Sequence, residues 1–178
     1  VDHFLLYDFA SVEGRINEDV FAYSNGIGSE RALVVYHNKF GSTRGWVKNS
    51  VNYSVKEGND RRILSRTLAE GLNLHNDPNH FCILREHNTG LEYLRASREL
   101  TEQGLYLELD AYKTFVFVDI REVQDDDHHR YAQLAAYLGG RGVPSVEEAL
   151  QVLFLAPVHE PFRQLEEAPR RRMDPDRN

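Results

Sequence analysis

Apolar and polar positions alternate with a period of two along much of the first 120 residues, the spacing that sends successive side chains to opposite faces of a β-strand. Phe4–Phe9 is an apolar run interrupted by Asp8, readable as a strand or as the end of a helix. Val20–Ser24 reads as a strand, Asn25-Gly26-Ile27-Gly28-Ser29 as a turn cluster supplying positive-φ positions, and Arg31–Asn38 as the returning strand. There Ala32, Val34 and Tyr36 share one face, and Leu33, Val35 and His37 the other. Apolar residues on both faces predict a central strand covered on both sides. Val34, and Val116 further on, are therefore expected in the core. Gly45–Val55 alternates less cleanly and reads as one exposed strand or two short ones.

The spacing then turns helical. Ile63, Leu64, Leu68 and Leu72 fall on one helical face, predicting an inserted helix over residues 61–72 with Asp60 as N-cap and Gly71 near its end. Asn73–His80 is a loop, and Phe81–Glu86 and Leu91–Ala96 flank His87-Asn88-Thr89-Gly90 as a hairpin. Ser97–Gln103 reads as a short helical turn. Leu105, Leu107 and Leu109 alternate with Tyr106, Glu108 and Asp110 in a half-buried strand, and Thr114–Ile120 closes the β part. The pattern gives about seven strands, the signature of an antiparallel β-sandwich.

After the acidic run Asp125-Asp126-Asp127, read as a solvated linker, the period is helical over His129–Leu138 and stops at Gly139-Gly140-Arg141-Gly142. Pro144-Ser145-Val146-Glu147-Glu148 opens a second helix with a capping box from Ser145 to Glu148. Its apolar positions, Val146 to Phe154, need a surface to bury against. The sheet of this chain is the expected surface. Pro157 and Pro161 break that helix, and 169–178 is expected to be disordered. The whole reads as mainly β: an antiparallel β-sandwich over 1–123 with one inserted helix, then a C-terminal helical tail, 124–168, and a terminal segment, 169–178.

Composition narrows the class. At 178 residues, 41% hydrophobic and 28% charged, the chain suits a globular domain with its own core. The net charge of −7 is spread along it, −4 up to Val123 and −3 beyond, so there is no basic footprint for nucleic acid. No apolar run approaches the roughly 20 residues that span a bilayer. Val1-Asp2-His3-Phe4 is no signal peptide, and the missing initiator Met suggests excision from a longer polypeptide. Cys82 is the single cysteine, set between Phe81 and Ile83, which predicts a buried thiol, excludes an intrachain disulfide and leans toward a reducing, cytoplasmic setting.

Candidate chemistry is sparse. The eight histidines show neither the i, i+4 pair of zincins nor the paired strand histidines of cupins. Asp125–Asp127 with His128 and His129 offers cation ligands by type only. P-loop, dinucleotide and nucleophile-elbow motifs are absent. Glu18, Asp19, Glu86, Glu108 and Asp110 are carboxylates of the type glycoside hydrolysis pairs across a cleft, here at strand ends that they would keep soluble. No catalytic residue, metal ligand or cofactor is assigned. Aromatics remain: Trp46 with Tyr53, or Tyr93 with Tyr106, could form a platform for a sugar ring, although aromatics also fill cores and interfaces.

The strand Val20–Ser24, its glycine-containing turn, the strand Arg31–Asn38 ending in Asn, and the closing pair Leu105–Leu109 and Lys113–Val118 resemble the C-terminal β-domain of α-amylase-type enzymes, glycoside hydrolase family 13. The match covers residues 17–38 and 104–120. The stretch from Trp46 to Ala96 is longer than in a minimal domain of this kind, and the tail after Asp127 departs from the usual module. The family's catalytic carboxylates lie in a barrel without counterpart here. The resemblance therefore implies a non-catalytic accessory domain whose partners are the catalytic domain of the same polypeptide and an α-glucan. Two alternatives stand beside it: an independent carbohydrate-binding module, and a small β-barrel metalloenzyme using His37, His75 or His80.

Overall fold

The computed structural model describes residues 4–154; the expected helix breaks at Pro157 and Pro161 and the terminal segment 169–178 lie outside them. Eight strands form one antiparallel sheet: β1 (Leu5–Ser11), β2 (Val20–Ile27), β3 (Glu30–His37), β4 (Thr43–Ser50), β7 (His80–Glu86), β8 (Glu92–Ala96), β9 (Leu105–Leu109) and β10 (Thr114–Gln124). Their order across it is β8-β7-β10-β3-β2-β1-β4-β9. The end strands β8 and β9 are consecutive in the chain, joined by α2 (Ser97–Glu102). The sheet curls so that they approach each other over one core, and its halves face one another as in a sandwich.

Alternation fills that core. Tyr7 and Phe9, Val20 and Ala22, Leu33 and Val35, Val47, Leu84, the three leucines of β9 and Phe117 all point inward. Cys82 joins them, and burial pushes its thiol up to about 12, so it is inert at neutral pH. The β2–β3 turn is a two-residue Gly28-Ser29 link with Gly28 at φ +59°, the backbone only glycine adopts freely.

The expectation that Val34 and Val116 lie in the core is corrected. They face each other across β3 and β10 on the outer face and are half-buried, while their neighbours Leu33, Val35 and Phe117 hold the core. The strand is apolar on both sides, as read, but the described residues bury only one fully.

The inserted helix over 61–72 is also corrected. Asp60 caps nothing. It opens β6 (Asp60–Leu64), which pairs with β5 (Tyr53–Glu57) in a detached hairpin turning at Gly58, φ +65°. A Gly-Asn turn between two five-residue runs outweighs the helical spacing of Ile63 and Leu64. Helix begins only at α1 (Leu68–Gly71), where Thr67 and Glu70 make a reciprocal capping box. Gly71 is needed for proximity, since a Cβ there would sit 2.0 Å from the Tyr7 hydroxyl oxygen.

The acidic run is not a solvated linker. The Asp125 carboxylate is buried and accepts the N–H groups of Tyr131 and Ala132, while Asp126 accepts those of His128 and Arg130. Together they hold the N-terminus of α3 (Arg130–Leu138), where the carboxylates also meet the helix dipole. Leu134 and Leu138 of α3, with Val146, Ala149 and Leu150 of the helix at 146–154, pack on Phe81, Ile83 and Leu94 to make a second core on the outer face of β7 and β8. Glu92 fastens that second helix. Its buried carboxylate accepts the Val146 N–H, and Arg121 approaches the other oxygen to 2.8 Å without hydrogen-bonding alignment. Among the described residues no helix is long and apolar enough to cross a membrane.

Candidate carbohydrate site

β9 pairs with β4 on one side only; its free side borders a groove of about 430 Å³ closed by the inner faces of β8 and β10. Gly104, at φ +85°, turns the chain from α2 into this edge strand. The alternation of β9 then puts Leu105 and Leu107 inside and leaves Tyr106 and Glu108 exposed.

Tyr93 and Tyr106 both line the groove. The Tyr93 ring stands edge-on to Phe117, centroids 6.2 Å apart and planes at 87°, and Phe115 stacks on Phe117 at 5.6 Å. The Arg95 guanidinium lies 5.7 Å above the Tyr93 ring and donates to the carbonyls of Leu94 and Gly140. The Tyr106 hydroxyl donates to Glu108 at 3.0 Å. Apolar ring faces beside an exposed carboxylate and a fixed cation suit a ligand with one apolar face and a rim of hydroxyls. Phe115, Phe117 and Arg95 escaped the sequence reading because they look like ordinary strand residues. Only the curling of the sheet brings them to the β9 edge.

The other predicted aromatics lie elsewhere. Trp46 is the cross-strand partner of Tyr106, with centroids 5.4 Å apart and planes tilted by 57°, so the two are not coplanar. Tyr53, on the detached hairpin, does not join Trp46; it lines a separate cavity of about 600 Å³ with Phe4, Leu6, Arg31, Arg66 and Glu70.

Among the carboxylates, Glu86 is buried and accepts from the N–H groups of Asn88 and Thr89 and from the Thr89 hydroxyl, so it holds the β7–β8 turn instead of solubilising an edge. Asp19 pairs with Lys39 at 2.8 Å, and Glu108 and Asp110 share a polar pocket with Glu13 and Arg44. His37 is buried with Nδ1 3.0 Å from the Asp110 carbonyl, a structural role. His75 and His80, five positions apart on a loop and a strand start, meet at Glu122.

Comparison with protein-family models, curated proteins and solved structures finds no match.

Proposed function

We propose that this chain is a non-catalytic accessory domain of an α-amylase-type glycoside hydrolase acting on α-glucans, packed against the catalytic barrel of the same polypeptide. The observation that carries the reading is the outer face of β1, β2, β3 and β10, which the described residues leave partly exposed. Leu6, Tyr23, Val34 and Val116 form one cross-strand row there, beside Phe21 and Tyr36, and Phe4 lies 5.6 Å from Tyr23. Leu6 and Phe21 are about half exposed, at 49% and 52%. Among the described residues two helices cover the outer face of β7 and β8, and none covers this neighbouring face. A contiguous apolar surface of that kind marks a protein contact. The strand resemblance names the partner as the barrel. A cytoplasmic setting accords with the single, buried cysteine.

Groove-lining Tyr93 and Tyr106 support a second reading, in which the domain also holds an α-glucan chain. Both readings have direct tests. The reading frame upstream of Val1 should encode a (β/α)₈ barrel, and that barrel should co-elute with this chain. The isolated chain should show no turnover on starch or maltooligosaccharides. Turnover lost on changing one Asp or Glu of this chain, or a frame without a barrel, overturns the proposal. Maltoheptaose should bind weakly in the groove, and Tyr93→Ala should reduce affinity by about 1 kcal/mol or more in titration calorimetry. Affinity unchanged in that variant removes the glucan reading.

A further inference from the structure

Glu122 lies past the bulge in β10, opposite Cys82 of β7, where the loop before β7 and the start of α2 converge on it. Its Oε2 accepts the His75 backbone N–H at 2.8 Å and the Ser97 hydroxyl at 2.7 Å, and its Oε1 contacts His75 Nδ1. His80 Nδ1 lies 2.7 Å from both oxygens of Asp77. The two imidazoles stack at 4.2 Å with planes 14° apart. His80 thus spends Nδ1 on Asp77 and keeps Nε2 for an ion, whereas His75 Nδ1 and Glu122 Oε1 already face each other and would share an ion in place of their mutual contact. The Asp77–His80 contact is the arrangement that fixes the tautomer and raises the basicity of a histidine ligand. Among the described residues the ion pairs of Glu122 and Asp77 are made to these histidines, so two carboxylates face two imidazoles with no Lys or Arg joined to them.

We propose that His75, His80 and Glu122 form a binding site for a divalent first-row transition ion of the zinc class, with Asp77 orienting His80. Two imidazoles and one carboxylate are a ligand set that zinc favours in sites keeping a further position for water. One ligand atom from each residue already lies within 4.8 Å of the others. Ligands about 2.0–2.1 Å from a tetrahedral ion stand about 3.3 Å apart, so the cluster must tighten by about 1.5 Å at most. His75 supplies the freedom for that, because its side chain is 65% exposed while that of Glu122 is 13% exposed and held by Ser97. The exposed side also gives the ion its entry. Once bound, the ion ties the 73–79 loop to β7 and β10, two strands across the sheet from Arg95 of the groove.

The experiment strips the full chain with a chelator and titrates it with Co²⁺ by visible absorption, then with Zn²⁺ by calorimetry. A saturable one-to-one Co²⁺ spectrum is expected, with Zn²⁺ binding in the micromolar range. His80→Gln and Glu122→Gln should each weaken binding at least about tenfold, and Asp77→Asn by about tenfold, the usual loss when a residue orienting a ligand is removed. His128→Gln, in the α3 turn, should bind as the wild type does. Far-UV circular dichroism checks that each variant is folded, and Asp77→Asn, which leaves all three ligands in place, keeps the test open should Glu122→Gln unfold. The absence of saturable Co²⁺ binding by the wild type overturns the proposal, as does wild-type affinity in a folded His80→Gln, Glu122→Gln or Asp77→Asn variant.

Discussion

Glu86 closes the β7–β8 hairpin from within. Burial alone would raise the pKa of its carboxyl, but the Thr89 N–H and hydroxyl, with the N–H groups of Asn88 and Val116, stabilise the anion and bring it below its ordinary 4.5. A carboxyl depressed on folding stabilises fully above its unfolded pKa and loses that contribution as pH falls through the folded value. Stability from Glu86 is thus intact at pH 7, begins to fall near pH 4.5 and is lost progressively below it. Glu86→Gln should cost about 1.5–3 kcal/mol at pH 7, the range for hydrogen bonds to a charged group. It should also flatten the acid limb of the melting temperature against pH. Superimposable profiles for variant and wild type would show that the charge does not hold the turn. In the sequence Glu86 is indistinguishable from a solubilising strand-end carboxylate. What sets it apart is the loop folding back over it, visible locally only as Thr89 three residues on.

At the scale of elements, legibility followed the length and purity of each period. β9 alternates cleanly and formed where read, and β3 formed within a residue of its expected bounds, whereas β2 runs to Ile27, three residues into the expected turn. The 53–72 stretch failed because Ile63 and Leu64 belong to a strand and Leu68 and Leu72 to α1 and its C-cap, two elements whose apolar residues happen to fall at helical spacing. The two-residue Gly58-Asn59 turn was the better signal, because backbone that glycine alone adopts freely constrains the chain more tightly than four apolar positions do. Asp125–Asp127 misled for another reason: a charge run and a helix cap have the same composition, and only hydrogen-bond partners separate them. The tail helices are amphipathic and need a face, and Phe81, Ile83 and Leu94 provide it. Truncation after Gln124 should uncover those residues and lower the melting temperature by several degrees or more, as expected for a loss above about 1–2 kcal/mol. Dye binding to exposed apolar surface should rise in parallel. A truncated chain that melts with the full one, while amides of 130–154 exchange freely in the latter, would remove the second core from the stability of the fold.

At the scale of the molecule, the described residues cover the two faces of β3 unequally. Leu33 and Val35 lie in the core of the curled sheet, fully buried, whereas Val34 stands half-buried in the outer row with Tyr23 and Val116. The apolar pattern alone could not tell a face buried by this chain from one reserved for another body, since both demand the same residues. A matched pair of substitutions can. In the isolated chain Leu33→Asp places an unpaired charge in the core and should cost several kcal/mol or abolish folding. Val34→Asp keeps its carboxylate in reach of water and should cost about 1 kcal/mol or less. With the proposed barrel present the ranking should change, because Val34→Asp would bury its charge in the proposed interface and weaken association at least tenfold, roughly 1.4 kcal/mol. Thermal melts of the two variants alone, and titration of Val34→Asp against the barrel, separate the cases. Equal destabilisation of the isolated variants would mean that the chain covers its own outer face. An undiminished affinity of Val34→Asp for the barrel would put the partner on another surface.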